Sequence, residues 1–173
     1  LFDKDNIEVA LDYIDVLIKR QKYGKALEEA HKLYKRDKKN LRFMIAYAAT
    51  LQQTNKQDEA LELYDEILDV DKKNPEVLVA KGHLQKTFGD VKGSIKSYKS
   101  SYISDRFYGD AYWSLANLKT YRFSDDEISE LESMTNDEYI NDNEKIYMNF
   151  ALGKAYEDIN EYAKSFENYK KGN

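Results

Sequence analysis

Apolar residues recur along this chain at steps of three and four, the spacing that places side chains on one face of an α-helix. The first such run extends from Asp5 to about Lys19 and carries Ile7, Leu11, Ile14 and Ile18 on one face. Short polar turns separate it from further runs of the same kind, and the chain of 173 residues contains a single proline. The pattern predicts an all-α protein without a sheet.

The periodicity divides the chain into helices joined by short turns. Two starts carry typical N-terminal signals: Ser124 is followed by Glu127 in the order of a capping box, and Asn74 precedes Pro75. The predicted helices cover about residues 5–19, 22–36, 41–53, 57–70, 75–88, 91–103, 110–120, 124–134, 141–159 and 161–173.

The pattern repeats with a period of 34 residues, since the segment Asp37 to Asn40 recurs as Asp71 to Asn74. Small residues form two columns at this period, which we interpret as the points where paired helices cross. The columns are Ala48, Gly82, Ala116 and Gly153 in the first helices, and Ala26, Ala60, Ser94 and Ser165 in the second helices. Gly153 falls three positions late, so an insertion lies between Met134 and Ile146.

A repeat of this kind predicts a stacked helical array, because each unit buries its apolar face only against its neighbours. We therefore expect one solenoid domain over residues 1–173, with units at about 5–36, 41–70, 75–104, 109–134 and 143–173, the fourth irregular. The turn within a unit has Asn55, Gly89 or Asn160, residues that tolerate a left-handed backbone. Gln21 occupies this position in the first unit and departs from that residue type.

Composition excludes several kinds of function. The net charge of -5, with both signs mixed along the chain, argues against general nucleic-acid binding. The absence of cysteine excludes thiolate chemistry and fits a reducing compartment, so we expect a cytoplasmic protein. The two histidines, His31 and His83, lack the spacing of a helical zinc site, and no apolar run could span a bilayer. We expect no metal, no cofactor and no catalysis in this chain.

The columns of small residues, with large aromatic and aliphatic residues between them, resemble the tetratricopeptide repeat. This resemblance implies a right-handed superhelical solenoid of helix pairs whose first helices line a concave groove for a protein or peptide segment. Carried over by repeat position, the groove residues are Arg42, Ile45, Ala49, Gln52, Glu76, Val79, His83, Lys86, Asp110, Trp113, Asn117 and Tyr121. Trp113 has two interpretations, an aromatic anchor for the partner or a packing residue against the next repeat.

Two segments carry a narrower resemblance. Residues Tyr112 to Phe123, and Phe150 to Asp158 with the ending Tyr169 to Asn173, resemble the repeat region of bacterial tetratricopeptide-repeat sulfotransferases. The resemblance implies a catalytic domain after Asn173 that uses 3'-phosphoadenosine 5'-phosphosulfate. Because the chain begins with Leu1 rather than Met, we expect it to be part of a longer polypeptide.

Three functional hypotheses follow. The first is a protein-interaction or substrate-recruiting module attached to a sulfotransferase. The second is an independent scaffold that assembles a protein complex without enzyme activity. The third is self-association through the last helix, whose apolar face includes Phe166 and Tyr169. A phosphate-binding loop further along the polypeptide would favour the first, and a concentration-independent monomer would eliminate the third.

Overall fold

The computed structural model describes residues 6–173, which form ten α-helices and no strand. The helices are α1 (Ile7–Lys19), α2 (Tyr23–Arg36), α3 (Leu41–Gln53), α4 (Gln57–Val70), α5 (Pro75–Thr87), α6 (Val91–Ser104), α7 (Gly109–Ala116), α8 (Asp125–Thr135), α9 (Asp142–Asp158) and α10 (Tyr162–Gly172). The predicted all-α class is confirmed. The predicted helix start at Asp5 lies outside the described residues.

Three first helices begin at asparagines that stand one repeat apart. Asn6, Asn40 and Asn74 each accept a hydrogen bond through the side-chain oxygen from a backbone N–H of the first helical turn, at 3.3, 3.1 and 3.1 Å. Such caps satisfy donors that have no partner inside the helix. Pro75 follows Asn74 at the first helical position, where its missing N–H costs no hydrogen bond.

The turns inside four of the helix pairs share one backbone geometry. Asn55, Gly89 and Asn160 have φ values of 59°, 80° and 63°, which confirms the predicted left-handed turns. Gln21 has φ 58° and adopts the same conformation despite its residue type. In each turn the next residue donates its N–H to a carbonyl five residues back, as Lys22 does to Leu17 at 2.8 Å.

The chain divides into two compact units. Unit 1 ends at Lys72 and contains α1 to α4, whereas unit 2 begins at Lys73 and contains α5 to α10. A cluster in unit 1 comprises Ile14, Leu17, Ala26 and Ala30. The cluster in unit 2 is larger and includes residues of α5 to α9, among them Tyr98, Leu115, Leu131, Met148 and Tyr156.

The small residues of the repeat columns lie where paired helices touch, as predicted. Ala26, Ala48, Ala60 and Ser94 are fully buried. A Cβ on Gly153 would lie 2.6 Å from the Tyr169 ring, and one on Gly82 would overlap the Tyr98 ring. Each tyrosine stands sixteen positions after its glycine. Glycine is therefore required at these two crossings for the rings to lie flat against the partner helix.

Helix α7 is shorter than predicted, since it ends at Ala116 instead of about Thr120. Asn117 caps it, and the chain then leaves the helix so that Leu118 and Phe123 enter the core of unit 2, at 4 % and 8 % exposure. Arg122 supports this segment through an ion pair with Asp158 at 2.9 Å. Burial of two apolar side chains thus outweighs one further helical turn.

The loop after α7 ends at the predicted capping box. Ser124 accepts a hydrogen bond from the Glu127 N–H through its hydroxyl, and the Glu127 carboxylate accepts one from the Ser124 N–H. Both halves of the motif are present, so the start of α8 is confirmed. Along the described part of the chain, no helix is both long enough and apolar enough to cross a membrane.

Candidate functional site

The first helices of three pairs in unit 2, α5, α7 and α9, lie side by side, because α7 contacts both α5 and α9. Equivalent repeat positions on these helices therefore become neighbours. We call the resulting surface the first-helix face of unit 2. Its residues are Glu76, His83 and Lys86 of α5, Asp110, Trp113 and Asn117 around α7, and Tyr147, Phe150 and Lys154 of α9.

Trp113 is half-buried at the centre of this face. Its ring lies 5.4 Å from that of Phe150, and the Phe150 ring lies 6.2 Å from that of Tyr169 on α10. Trp113 therefore packs against the next helix pair and still presents part of its surface to solvent. The packing interpretation of Trp113 is therefore confirmed, and the interpretation as an anchor for a partner stays a prediction.

His83 is fixed by its contact with the second helix of its own pair. Its Nδ1 lies 2.9 Å from the Tyr98 hydroxyl, and the two rings meet edge to face at 5.4 Å. Burial lowers the pKa of His83 below its usual value, although the nearby Asp110 carboxylate opposes this. The imidazole is therefore neutral at physiological pH and offers the face a polar but uncharged edge.

One end of the face is acidic. The Glu144 carboxylate accepts a hydrogen bond of 2.6 Å from the Gly109 N–H, which holds the start of α9 against the start of α7. Burial raises the pKa of the Tyr108 hydroxyl, and the carboxylates of Asp110, Glu76 and Glu144 raise it further. Carboxylates from three helices therefore lie near enough to Tyr108 to act on its hydroxyl.

The opposite end of the face carries cationic and amide groups. Lys86 and Asn117 are exposed, and Lys154 forms ion pairs with Asp158 and with Glu157, the second at 3.6 Å. Because Asp158 and Glu157 on the same helix neutralise Lys154, Lys86 is the exposed cation that a partner can contact at this end. The exposed polar groups at this end are donors suited to a carbonyl or carboxylate of a bound segment.

Two of the predicted groove residues lie elsewhere. Val79 is only 3 % exposed and belongs to the core of unit 2, because close contact between helices α5 and α7 covers its repeat position. Tyr121 lies beyond the shortened α7, where its hydroxyl donates to Glu127 of α8 at 2.6 Å and Lys99 of α6 stands over its ring. Neither residue belongs to the first-helix face of unit 2.

Unit 1 presents its own predicted residues on α3. Arg42 donates two hydrogen bonds to the Glu8 carboxylate of α1, at 2.5 and 2.6 Å. The Gln52 side-chain oxygen accepts a hydrogen bond of 3.1 Å from the Tyr64 hydroxyl, and Ile45 is half-buried. Arg42 and Gln52 thus already have partners within unit 1, and a ligand would compete with them.

Sequence reasoning missed three residues of the face, Tyr147, Phe150 and Lys154. The signal that finds them is Gly153, which the repeat column identifies despite the three-residue insertion. Phe150 stands three positions before Gly153, as Trp113 stands three positions before Ala116. Lys154 follows Gly153 directly, as Asn117 follows Ala116. The insertion shifts these positions out of the 34-residue period, so counting on from Ala116 by the period reaches Phe150 instead of Gly153.

The last helix, α10, exposes Tyr162 and Phe166 to 64 % and 66 %. Tyr169, which was predicted to share that exposed face, instead lies half-buried over Gly153, and its hydroxyl donates to Glu157 at 3.1 Å. No group of residues able to hold a metal ion occurs in the described part of the chain.

Antiparallel helix pairs, small residues at their crossings and a 34-residue period define a helical-repeat fold of the tetratricopeptide type. Residues 17–84 match the tetratricopeptide repeat family model. This match confirms the predicted repeat type for that part of the chain. No curated protein matches the sequence.

Solved structures of similar fold extend the comparison to more than nine-tenths of the chain. A crystal structure of MamA aligns with a TM-score of 0.62 at 18% identity and covers 92% of this chain and 91% of that chain. PilF of Pseudomonas aeruginosa aligns with a TM-score of 0.67 at 15% identity, covering 95% of this chain and 74% of that chain. MamA of Desulfovibrio magneticus aligns with a TM-score of 0.60 at 12% identity and covers 97% of this chain and 93% of that chain.

These likenesses establish the fold, and they carry no information on a ligand at such low identity. Neither the family match nor the three structures named above relates this chain to sulfotransferases. The sulfotransferase attachment suggested by the sequence therefore has no support from them. A helical repeat of the tetratricopeptide type is the coarser statement that they do support.

Proposed function

We propose that this chain is a non-catalytic scaffold that binds a segment of another protein on the first-helix face of unit 2. The observation that carries the proposal is Trp113, a half-exposed aromatic at the centre of a face that also offers Asn117 and Lys86. Buried aromatic side chains ringed by polar groups commonly dominate the affinity of protein interfaces.

The geometry favours an extended segment over a small molecule. The face spans three adjacent first helices, and its polar groups stand at both ends with the Trp113 and Phe150 rings between them. A segment that crosses the helices can place a side chain on the rings and use its backbone for hydrogen bonds with Asn117 and His83. The rigid helices supply a surface that needs little ordering when it binds.

Selection from a displayed random-peptide library against the full chain tests the proposal. We expect the selected peptides to bind Lys86→Ala and Asn117→Ala about tenfold more weakly in fluorescence anisotropy, because each change removes an exposed contact group. Lys96→Ala is the control, since Lys96 is exposed on the second helix α6. Equal affinity for all four proteins would place the binding site elsewhere.

A further inference from the structure

The two ends of the first-helix face of unit 2 differ in charge, and this difference bears on the partner. At the amino-terminal ends of α5, α7 and α9, the first turns carry Glu76, Asp110 and Glu144. Within the part of the chain that the structure describes, none of these three carboxylates forms an ion pair. Two of them accept hydrogen bonds from neutral groups: Asp110 accepts from the Ser114 hydroxyl at 3.0 Å, and Glu144 accepts from the Gly109 N–H.

Close packing brings these carboxylates together. Gly109 lies so near α9 that an added Cβ would meet the Glu144 carbonyl oxygen at 2.6 Å and the Tyr147 Cβ at 2.9 Å. Glu76 and Asp110 occupy equivalent positions on the adjacent helices α5 and α7. The acidic end is therefore a property of three helices held in contact, with Tyr108 between them.

Aromatic surface adjoins this acidic end. Tyr147, which occupies the repeat position of Glu76 and Asp110 on α9, is 38% exposed. Trp113 and Phe150 stand one helical turn further along α7 and α9. A side chain with a positive head and an apolar stem fits such a surface, since the stem covers the rings while the head reaches the carboxylates.

We infer that the partner segment is basic, with a lysine or arginine at the acidic end and a neighbouring apolar side chain on Trp113. This inference rests on the proposed function and adds the chemistry of the occupant. Three first-turn carboxylates without an ion-pair partner make this end of the face negative, which disfavours an acidic segment and attracts a basic one. Lys86, at the far end of α5, disfavours a second basic side chain at that end of the face.

Paired peptides test the inference on the full chain. The probes are short fluorescein-labelled peptides that share a Phe-Leu pair and differ only in whether lysine or glutamate residues flank it. We expect the lysine peptide to bind about tenfold more tightly than the glutamate peptide at low salt, and the preference to shrink as salt rises. Equal affinity, or tighter binding of the glutamate peptide, overturns the inference.

Substitutions then test whether the acidic end of the face causes the tighter binding of the lysine peptide. The double variant Glu76→Gln and Asp110→Asn should weaken binding of the lysine peptide about tenfold, because it removes two charges from the acidic end. Asp125→Asn with Asp126→Asn is the matched control, since it removes two first-turn carboxylates of α8 that lie outside the face. An equal loss in both variants would show that net charge alone attracts the peptide, which contradicts the inference.

The two proposals fail in different ways. If the glutamate peptide binds better and Asn117→Ala weakens it, the face binds segments but the assigned charge is wrong. If the lysine peptide binds equally well to Asn117→Ala, Lys86→Ala and the acidic-end variant, the face is not the site and both proposals fail. If neither peptide binds, the inference fails, and the library selection decides the proposed function. Thermal melts of each variant confirm that the fold is retained.

Discussion

Single residues in this protein show where geometry overrides residue type. Gln21 adopts the left-handed conformation that Asn55, Gly89 and Asn160 adopt at the equivalent turns. The hydrogen bond from Lys22 to Leu17 closes the turn and holds Gln21 there. The repeat predicts this conformation better than the residue does, because the turn must return the second helix to the first.

The strain at Gln21 predicts that glycine will stabilise the chain. A left-handed backbone costs a residue with a Cβ about 1–2 kcal/mol, and glycine avoids most of that cost while losing some entropy on folding. We expect Gln21→Gly to raise the free energy of unfolding by about 0.5–1 kcal/mol. Urea unfolding measures it, with Asn55→Gly as a control that should gain less. A less stable Gln21→Gly would contradict the turn geometry.

Glu127 makes more contacts than its place in the capping box predicts. Besides capping α8, its carboxylate accepts hydrogen bonds from Tyr121, Tyr102 and Lys99, at 2.6, 3.1 and 3.0 Å. Burial alone raises the pKa of Glu127, but hydrogen bonds from Tyr121, the Ser124 N–H and Lys99 outweigh it and hold the pKa at about 2. The carboxylate therefore joins α6, α8 and the loop between α7 and α8.

The lowered pKa of Glu127 predicts a specific acid sensitivity. A carboxyl whose folded pKa is depressed contributes stability that is complete above its unfolded pKa of about 4.5 and is lost as the pH falls towards about 2. We expect Glu127→Gln to be about 1–2 kcal/mol less stable than the parent at pH 7, and the difference to shrink below about pH 4.5. Urea unfolding across this range measures it, with the exposed Glu130→Gln as control. A pH-independent difference would refute the assignment.

At the scale of helices, the sequence correctly predicts which helices form and how they pair, but it places the end of α7 too late. The cap at Asn74 and the capping box at Ser124 are local signals, and the structure contains both. The end of α7 at Ala116 depends instead on the burial of Leu118 and Phe123 against distant helices. No local pattern encodes that packing, so the sequence extends the helix too far.

Helix crossing at the small-residue columns gives a direct packing test. Ala60 is fully buried in α4, and its replacement by leucine would force side-chain and backbone shifts at the contact with α3. We expect Ala60→Leu to cost about 1–3 kcal/mol of stability. Chemical denaturation measures the loss, and Glu62→Leu, at an exposed position of the same helix, is the matched control. An unchanged midpoint for Ala60→Leu would contradict the repeat register.

At the scale of the molecule, the period establishes the fold class but leaves the candidate site incomplete. It identifies His83, Lys86, Trp113 and Asn117 as first-helix residues, and the structure places them on one face of unit 2. It also selects Val79, which the core buries, because repeat position says nothing about how deeply a neighbouring helix covers a side chain. The single solenoid domain over residues 1–173 stays a prediction beside the two compact units.

The 34-residue period carries no information on the chemistry of a partner. The carboxylates of Glu76, Asp110 and Glu144 are ordinary first-turn acids when read along the sequence, since acidic residues there favour the helix dipole. Only the contact of α7 with α5 and α9 brings them together around Tyr108. The proposed charge complementarity therefore rests on three-dimensional packing and not on the sequence pattern.

Trp113 reports directly on whether a partner occupies the first-helix face of unit 2, because it is the single tryptophan of the chain and lies at the centre of the proposed site. A library-selected peptide without tryptophan should shift the Trp113 emission to shorter wavelength as the half-exposed ring is covered. The shift should saturate at the same peptide concentration as fluorescence anisotropy of the labelled peptide. Saturable binding by anisotropy with unchanged Trp113 emission would contradict the account and place the partner on another surface.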